Sequence, residues 1–264
     1  MFELATEHYA SLNPSIAHTC HGADVAGAVL SGHTQGKVFI NDPGDLRSAF
    51  FYDNGFCTLA GTRANTAFAS DCVQWLRDRA PQDFFVLYPG HEDWLPILDT
   101  AISPATQKVQ RLAFEFDHFS FRVRRTRRAL PSGFTMVPID AALMRQAEAT
   151  LYPWMGGTWK SPVDFEQSAV GYCVLTGEQV VSLCYSVFVS DQRHAIDVMT
   201  AEPFRHLGLA QIVATAFIDE CIHRGLQPAW DCFEHNTPSR WLAHSLGFSA
   251  ACEFPVYSWE RASS

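Results

Sequence analysis

The sequence predicts a mixed α/β protein built from two domains. Short apolar runs typical of strands alternate with segments of helical spacing along the chain. Segments 37–119 and 170–258 share one order of elements, a hairpin, a helix, a strand, a helix and a strand, although no sequence repeat relates them. The length of 264 residues exceeds the roughly 100–200 residues of a typical single domain. We therefore predict an N-terminal α/β domain of residues 1–130 and a C-terminal domain of residues 131–264, divided at Pro131-Ser132-Gly133.

The composition is that of a globular protein. Hydrophobic residues make up 47% of the chain and aromatic residues 13%, which is enough to fill a sizeable core. No run of about 18 uncharged apolar residues occurs, so we expect no membrane helix. The acidic start of the chain lacks the order of a signal peptide, so we expect a cytoplasmic protein. The net charge of −9 disfavours nucleic acid as a partner and is compatible with a cationic amine substrate.

Neither the cysteines nor the histidines indicate a metal site. The eight cysteines form no Cys-x-x-Cys pair, and several lie in apolar runs, so we predict buried, reduced thiols. The eleven histidines show no metal-type spacing either. The nearest cluster is His18-Thr19-Cys20-His21, which we interpret as incidental, and we therefore predict no metal.

The elements of the N-terminal half follow from local patterns. Residues 1–33 are predicted to form one or two short helices with loops. A strand at 36–40 ends in the turn signal Asn41-Asp42-Pro43-Gly44. Asp53-Asn54-Gly55 predicts a hairpin between the strands 48–52 and 56–60. Apolar spacing then predicts helix 64–79, strand 83–88, helix 91–101 and strand 109–121.

The C-terminal half begins with a helix at 141–149 and an aromatic, glycine-bearing loop at 152–162. Gly177-Glu178 predicts a second hairpin. The remaining elements are a strand at 195–200, a helix that Gly225 stops, a strand at 230–232, a helix that Thr237 caps, and a final strand at 249–259.

The stretch 195–225 indicates an anion site. Its strand runs through a short turn into a helix whose first turn carries Arg205 and Gly208. The first N–H groups of a helix have no partner inside it, and the helix dipole adds partial positive charge there. Since Gly208 has no side chain, a phosphate can approach the backbone.

The motifs of the C-terminal half resemble those of a known family. Arg205-x-x-Gly208-x-Ala210, after a strand ending in Val198-x-Thr200, resembles the acyl-coenzyme A pyrophosphate loop of the GNAT N-acetyltransferases. The resemblance continues over about residues 135–258 in two further motifs, which are similar to the family's fifth strand and fourth helix: Trp230-Asp231-Cys232, and Asn236-Thr237-Pro238-Ser239 with Leu246-Gly247-Phe248. Segments 165–175, 196–200 and 228–231 resemble, more loosely, the zwittermicin A resistance type of acetyltransferase.

This resemblance implies a GNAT fold with a mixed, splayed sheet in the C-terminal half. The N-terminal domain either shapes the substrate pocket or, as the shared order of elements suggests, is a degenerate GNAT-like copy without the phosphate loop, since the predicted helix at 64 has no Arg-x-x-Gly-x-Ala ahead of it. The implied reaction moves an acetyl group from acetyl-coenzyme A directly to a primary amine of a small molecule, such as an amino sugar, a polyamine or an antibiotic-like compound. The implied coenzyme contacts are Val198, Met199, Thr200, Arg205, His206, Leu207, Gly208, Leu209, Ala210, Asn236 and Ser239, of which the last two also suit a helix cap.

The candidates for a general base are Asp197, Asp231 and Glu234, with His235 as a weaker one. Asp197 lies inside a strand, where it faces either the cleft or the wet side of the sheet; a carboxylate in the cleft would suit a base or an ammonium site. A backbone N–H near Val198 or Met199 is the candidate for holding the oxyanion.

The general acid stays open. Many GNAT enzymes carry a tyrosine at the position of Ala243, and Tyr172, Tyr185 or a water are the alternatives here. Two other functions also stay open, namely a coenzyme-binding module without catalysis and a protein N-acetyltransferase. The oligomeric state is open as well, a homodimer included.

The run from Phe121 to Ala129 holds five of the nineteen Lys and Arg residues. One interpretation assigns it to the phosphates of the coenzyme or to an acidic partner. We favour a solvated connector between the domains, because runs of like charge usually face water.

Overall fold

The computed structural model describes residues 1–12, 19–61, 64–79, 84–102, 106–125 and 128–260. The chain forms two compact units, Met1–Gln110 with Phe254–Ser264, and Arg111–Glu253. The sequence-based boundary at residue 131 lies inside the second unit, because strand pairing in that unit already begins at Arg111. His18 and Arg127, which belong to the histidine cluster and the basic run of the sequence analysis, lie outside the described residues.

In the described residues of the first unit, a mixed sheet is accompanied by three α-helices. Its elements are the strands β1 (Phe2–Leu4), β2 (Lys37–Asp42), β3 (Asp45–Asp53), β4 (Phe56–Gly61) and β5 (Phe84–Pro89), and the helices α1 (Ala23–Ser31), α2 (Thr66–Arg79) and α3 (Leu95–Ala101). The sheet order is β1-β2-β3-β4-β5, and residues 257–260 of the last strand pair with β5. Only β4 and β5 are parallel among these neighbours.

The second unit contains the larger share of the chain. In chain order its elements are β6 (Gln107–Phe116), α4 (His118–Arg124), β7 (Phe134–Pro138), α5 (Ala141–Thr150), α6 (Met155–Thr158), α7 (Pro162–Ser168), β8 (Gly171–Thr176), β9 (Gln179–Ser190), β10 (Arg193–Thr200), α8 (Leu209–Arg224), β11 (Gln227–Phe233), α9 (Thr237–Ser245) and β12 (Phe248–Glu260). The first four residues of β6 and residues 254–260 of β12 belong to the first unit. The sheet order is β6-β11-β10-β9-β8-β7. The pair β10–β11 is parallel, and the other pairs are antiparallel.

Alternate residues of this second sheet pack against two different layers. Cys184 of β9 belongs to the core that contains Val213 and Phe217 of α8. Leu183, one residue earlier, belongs to the core that contains Met144 of α5 and other residues of α5 to α7. Successive strand side chains point to opposite faces, so α8 covers one face and α5–α7 cover the other.

The two units repeat one order of elements, which confirms the shared order predicted from the sequence. Three antiparallel strands, β2–β4 or β8–β10, lead to a helix, a parallel strand and a second helix. The hairpin at Asp53-Asn54-Gly55 is also confirmed. Asn54 and Gly55 have φ angles of 47° and 89°, in the left-handed region that a tight hairpin turn requires.

The predicted loop at 152–162 contains the short helix α6, and the predicted helices and loops of 1–33 include the strand β1. Three further predictions are wrong about where an element begins or ends. The strand predicted at 109–121 ends at Phe116, because Asp117 caps α4 by accepting a hydrogen bond from the N–H of Ser120 at 2.6 Å. Arg205 lies before α8 and not in its first turn, since Gly208 is the N-cap of that helix. The cap of α9 is Asn236, one residue before the predicted Thr237.

No helix in the described part of the chain has both the length and the apolar character needed to cross a membrane. All eight cysteines are free thiols, of which Cys20 and Cys252 are exposed and the other six are buried. The predicted burial is therefore confirmed for six of the eight.

Candidate functional site

Strands β10 and β11 separate along their length. They pair at Arg193–Ala195 with Gln227–Ala229. Beyond those residues β10 continues to pair with β9, and β11 continues to pair with β6, but no further pair between β10 and β11 is found among the described residues. A register shift between Ala195 and Ile196, at which Val187 of β9 is skipped, coincides with the end of the β10–β11 pairing and has the form of a β-bulge in β9. The facing edges therefore splay apart, as the sequence predicts.

The loop at the end of β10 leads into α8 with its backbone donors free. Gly208 has a φ of 81°, a conformation that glycine adopts without steric cost. The first helical hydrogen bond runs from the N–H of Ile212 to the Gly208 carbonyl at 3.2 Å. The N–H groups of residues 206–211 have no acceptor among the residues that the structure describes. This loop and the start of α8 hence offer up to six donors to an anion.

Arg205, the first residue of the loop motif, is held against the strand that precedes it. Its Nε donates to the carbonyl of Thr200 at 3.3 Å. Two residues that the resemblance assigned to the coenzyme likewise have structural partners. The side-chain oxygen of Asn236 caps α9 by accepting from the Ser239 N–H at 3.1 Å, and the Ser239 hydroxyl accepts from Nε1 of Trp230 at 3.0 Å. The cap that the sequence left as an alternative is therefore present for Asn236, whereas the Ser239 side chain contacts Trp230 and does not cap the helix.

Asp197 lies on the face of β10 that is opposite to α8. Its neighbours Ile196 and Val198 pack against the core that contains α8, so alternation places Asp197 on the other face. There Tyr152 donates to Oδ2 of Asp197 at 2.8 Å, and Tyr185 donates to the same oxygen at 3.4 Å. These three residues form a cluster that we call the carboxylate–tyrosine cluster.

Burial and hydrogen bonding set the pKa of the carboxyl group and of the two tyrosine hydroxyls in this cluster. Burial raises the pKa of Asp197, while hydrogen bonds from the two tyrosines and from the Val198 N–H oppose that rise. Burial and the nearby carboxylate also raise the pKa of both tyrosine hydroxyls. The hydroxyls therefore remain protonated near neutral pH and act as donors. Asp197 is partly exposed, so it is accessible to a ligand.

Asp231 has a different environment. Arg111 binds it through two contacts, Nε to Oδ2 and Nη2 to Oδ1, each 2.9 Å long. The Arg111 side chain is only 8% exposed, and its guanidinium lies 4.6 Å from the centre of the Phe233 ring. A carboxylate held by a bidentate guanidinium has both oxygens engaged. This geometry favours Asp197 over Asp231 as a base.

The other candidates for proton transfer lie away from this cluster or have surface partners. Glu234 is exposed and pairs with Arg240 at 3.2 Å. His235 is exposed and stacks on Phe233. Ala243 is fully buried in the core with α8, so the position that carries a tyrosine in many GNAT enzymes offers only a methyl group.

Of the tyrosines proposed from the sequence as substitutes, Tyr185 contacts Asp197. Tyr172 packs instead against the core with α8. Sequence reasoning missed Tyr152, the closer donor. The only signal for it was its place in the aromatic loop 152–162, which carried no indication of its partner.

The first unit has the matching strand pair without the splay. Strands β4 and β5 pair from Phe56 with Val86 to Leu59 with Pro89, the last residue of β5. The helix that follows β4 begins with its own cap, because Oδ1 of Asn65 accepts from the N–H of Phe68 at 3.1 Å. One of the first N–H groups of this helix is thus taken by a side chain of the protein.

Comparison with known proteins agrees with this geometry. The GNAT acetyltransferase family model matches residues 18–257. The chain belongs to this family. Because the match begins in the first unit, both units fall within the GNAT acetyltransferase pattern and not the second alone. The zwittermicin A resemblance stays a prediction.

Individual relatives support the same conclusion. The chain is 29% identical over 232 residues to the uncharacterized N-acetyltransferase YdfB of Bacillus subtilis strain 168, covering 87% of this chain and 88% of that protein. A GCN5-related N-acetyltransferase-like protein from Streptococcus suis 89/1591 superimposes with a TM-score of 0.77 at 24% identity, covering 97% of this chain and all of the other. A tandem GNAT protein from the clavulanic acid biosynthesis pathway gives a TM-score of 0.57 at 12% identity, with coverage of 99% and 98%. The two structural likenesses concern the fold, and the tandem protein fits a chain with two GNAT-like units.

Proposed function

We propose that this GNAT N-acetyltransferase moves an acetyl group from acetyl-coenzyme A directly to a primary amine of a small molecule, with the site in the second unit. The observation that carries the proposal is the splayed strand pair β10–β11, because it leads to a loop of free backbone donors. The amides of the pantetheine arm would pair with the open edge of β10 at Val198, Met199 and Thr200. The pyrophosphate would take the N–H groups of residues 206–210, where Gly208 leaves the backbone accessible.

The residue that we propose as base is Asp197. An acceptor amine arrives mostly as an ammonium ion and has to lose a proton before its nitrogen can attack. Asp197 accepts that proton, the nitrogen bonds to the thioester carbonyl carbon, and the carbon–sulfur bond breaks to release the coenzyme thiolate. The raised pKa of Asp197 suits this role, because a base works best when its pKa approaches the working pH.

The charge that develops on the carbonyl oxygen needs a donor. We propose a backbone N–H near Val198 or Met199 on the open edge of β10. A preorganised donor of this kind contributes roughly 3–4 kcal/mol to the transition state. The nitrogen still carries one extra proton after the attack, and this proton leaves to water as the amide forms. The thiolate takes a proton from Tyr185, which regains it from water, or from water directly, since Ala243 supplies none. Tyr152 and Tyr185 also orient the Asp197 carboxylate. Because their hydroxyl groups are uncharged, they do so without neutralising its charge.

One observation favours a second candidate, a coenzyme-binding module without catalysis. Ala243 is buried among apolar side chains, and the tyrosine that many GNAT enzymes use there is missing. The carboxylate–tyrosine cluster argues against this candidate, because a half-buried carboxylate is costly to keep in a fold unless it is paired with a cation or has a use.

The test combines binding with turnover. Release of free thiol from acetyl-coenzyme A is measured with a panel of polyamines and amino sugars, and coenzyme binding is measured by calorimetry. Asp197→Asn is expected to lower kcat/KM by about 10²–10⁴-fold while coenzyme affinity stays unchanged. Asp191→Asn is the matched control, since Asp191 is exposed in the β9–β10 turn with a φ of 48°, which asparagine also tolerates. Tight coenzyme binding without turnover of any amine would favour the non-catalytic module.

A further inference from the structure

The guanidinium of Arg128, which belongs to the basic run 121–129, lies next to Gly208 in the loop before α8. A Cβ atom built on Gly208 would come within 2.4 Å of Nη1 of Arg128, and within 3.0 Å of its Cδ and Cζ. The side chain of Arg128 therefore occupies the space that the missing side chain of Gly208 leaves open. The left-handed backbone is what requires glycine at position 208, and its missing side chain also leaves room for this cation.

Two other arginines near the end of α4 are held by partners of their own. Arg124 donates to the carbonyl of His244 at 3.0 Å, and Arg125 forms an ion pair with Asp219. Arg128 is exposed, and no carboxylate among the described residues pairs with it. Its charge is therefore available to a ligand at the point where the loop donors are also free.

We propose that Arg128 binds the pyrophosphate of the coenzyme at the Gly208 loop. This inference rests on the proposed function. A guanidinium is planar and can donate two parallel hydrogen bonds to the oxygens of one phosphate. The chain has a net charge of −9, so the approach of a polyanion is opposed unless a local cation compensates it. Arg128 supplies that cation from outside the loop motif, about eighty residues earlier in the sequence.

The experiment measures the affinity of coenzyme A for the full chain by calorimetry. Arg128→Gln is expected to weaken binding by about 10-fold or more, which corresponds to about 1.4 kcal/mol, and Arg128→Lys is expected to lie between the variant and the wild type. Arg122→Gln is the matched control, because Arg122 belongs to the same run and is exposed. It should leave the affinity unchanged. Thermal melts compare folding, and Arg128→Gln should melt like the wild type because it breaks no ion pair with the described residues.

Two further ligands locate the contact. Dephospho-coenzyme A, which keeps the pyrophosphate and lacks the 3′-phosphate, should show the same loss with Arg128→Gln. Pantetheine, which has no phosphate, should bind the variant and the wild type equally. If the loss disappears with dephospho-coenzyme A, Arg128 contacts the 3′-phosphate and the assignment to the pyrophosphate is overturned.

The remaining outcomes separate this inference from the proposed function. If Arg128→Gln binds coenzyme A as well as the wild type or more tightly, Arg128 only fills the site and the inference fails alone. If the wild type binds no coenzyme A, the proposed function fails with it. A loss with Arg128→Gln and none with Arg122→Gln supports both.

Discussion

Replacing Tyr152 by phenylalanine tests the role of Asp197 more sharply than removing the carboxylate does. The change deletes one hydroxyl, the donor that lies 2.8 Å from Oδ2 of Asp197, and keeps the ring in place. The longer contact from Tyr185, at 3.4 Å, remains. The variant therefore weakens the stabilisation of the ionised carboxylate without removing the base.

The expected magnitude follows from the hydrogen bond that is lost. A hydrogen bond to a charged group is worth about 1.5–3 kcal/mol, and every 1.36 kcal/mol changes a proton equilibrium tenfold. Loss of the Tyr152 hydroxyl should therefore shift the ionisation of Asp197 towards the protonated form by roughly 10- to 100-fold. The pKa of Asp197 should rise in the variant, because burial already raises this pKa and the hydrogen bond from Tyr152 opposes that rise.

The assay is the pH dependence of kcat/KM for the best acceptor amine. A protonated Asp197 cannot accept a proton, so the acidic limb of the profile should move to higher pH in the variant. At pH values well below the pKa of Asp197, kcat/KM should fall by the full amount, roughly 10- to 100-fold. The plateau of kcat/KM at high pH should stay close to that of the wild type. Coenzyme A affinity should not change.

Tyr172→Phe is the matched control. Tyr172 packs against the core with α8, on the other face of the sheet from Asp197, and its removal should leave the profile in place. An unchanged acidic limb in Tyr152→Phe would refute Asp197 as the titrating base. So would an equal loss from Tyr152→Phe when Asp197 is already asparagine, because the tyrosine would then act through another group.

Three further predictions address the loop, the first unit and stability. Gly208→Glu should abolish coenzyme A binding in calorimetry, whereas Gly208→Ala, which carries the same backbone strain of about 1–2 kcal/mol without the charge, should bind more tightly than the glutamate variant; equal affinities would mean that the loop holds no phosphate. Wild-type protein should bind one coenzyme A per chain, because Asn65 caps the matching helix of the first unit, and two per chain would contradict this. Burial raises the pKa of Asp53, which is 1% exposed, so the folded protein keeps this proton to higher pH than the unfolded chain. The free energy of unfolding should therefore fall as the pH rises above the pKa of Asp53 in the unfolded chain, and Asp53→Asn should remove this part of the fall in urea titrations at several pH values. A stability difference between variant and wild type that is constant with pH would refute this prediction.

Structural features that depend on a few neighbouring residues could be predicted from the sequence. The hairpins follow from Asp53-Asn54-Gly55 and Gly177-Glu178, and the loop follows from Gly208 between a strand and a helical pattern. Each of these signals is local, because a turn or a helix start depends on the backbone freedom of a few neighbouring residues. The splay was predictable only because the family resemblance demanded an open edge.

Contacts between distant residues could not be predicted in this way. Tyr152 and Asp197 are 45 residues apart, and Arg111 and Asp231 are 120 apart. No periodicity or turn signal links such positions, and both aspartates stand in apolar strands of similar composition. The sequence therefore left the choice of base open, and it placed Arg128 in a connector that was expected to face water.

The two aspartates show how partners decide the chemistry of one residue type. Asp197 and Asp231 each lie two residues beyond the last parallel pair of β10 and β11, Ala195 with Ala229. Asp231 is paired with a cation through both oxygens, so an approaching ammonium would have to compete with a buried guanidinium. Asp197 is held by neutral hydroxyls, which stabilise its charge without neutralising it. Its carboxylate thus keeps the charge that can attract an ammonium ion, and burial raises its affinity for the proton that this ion gives up.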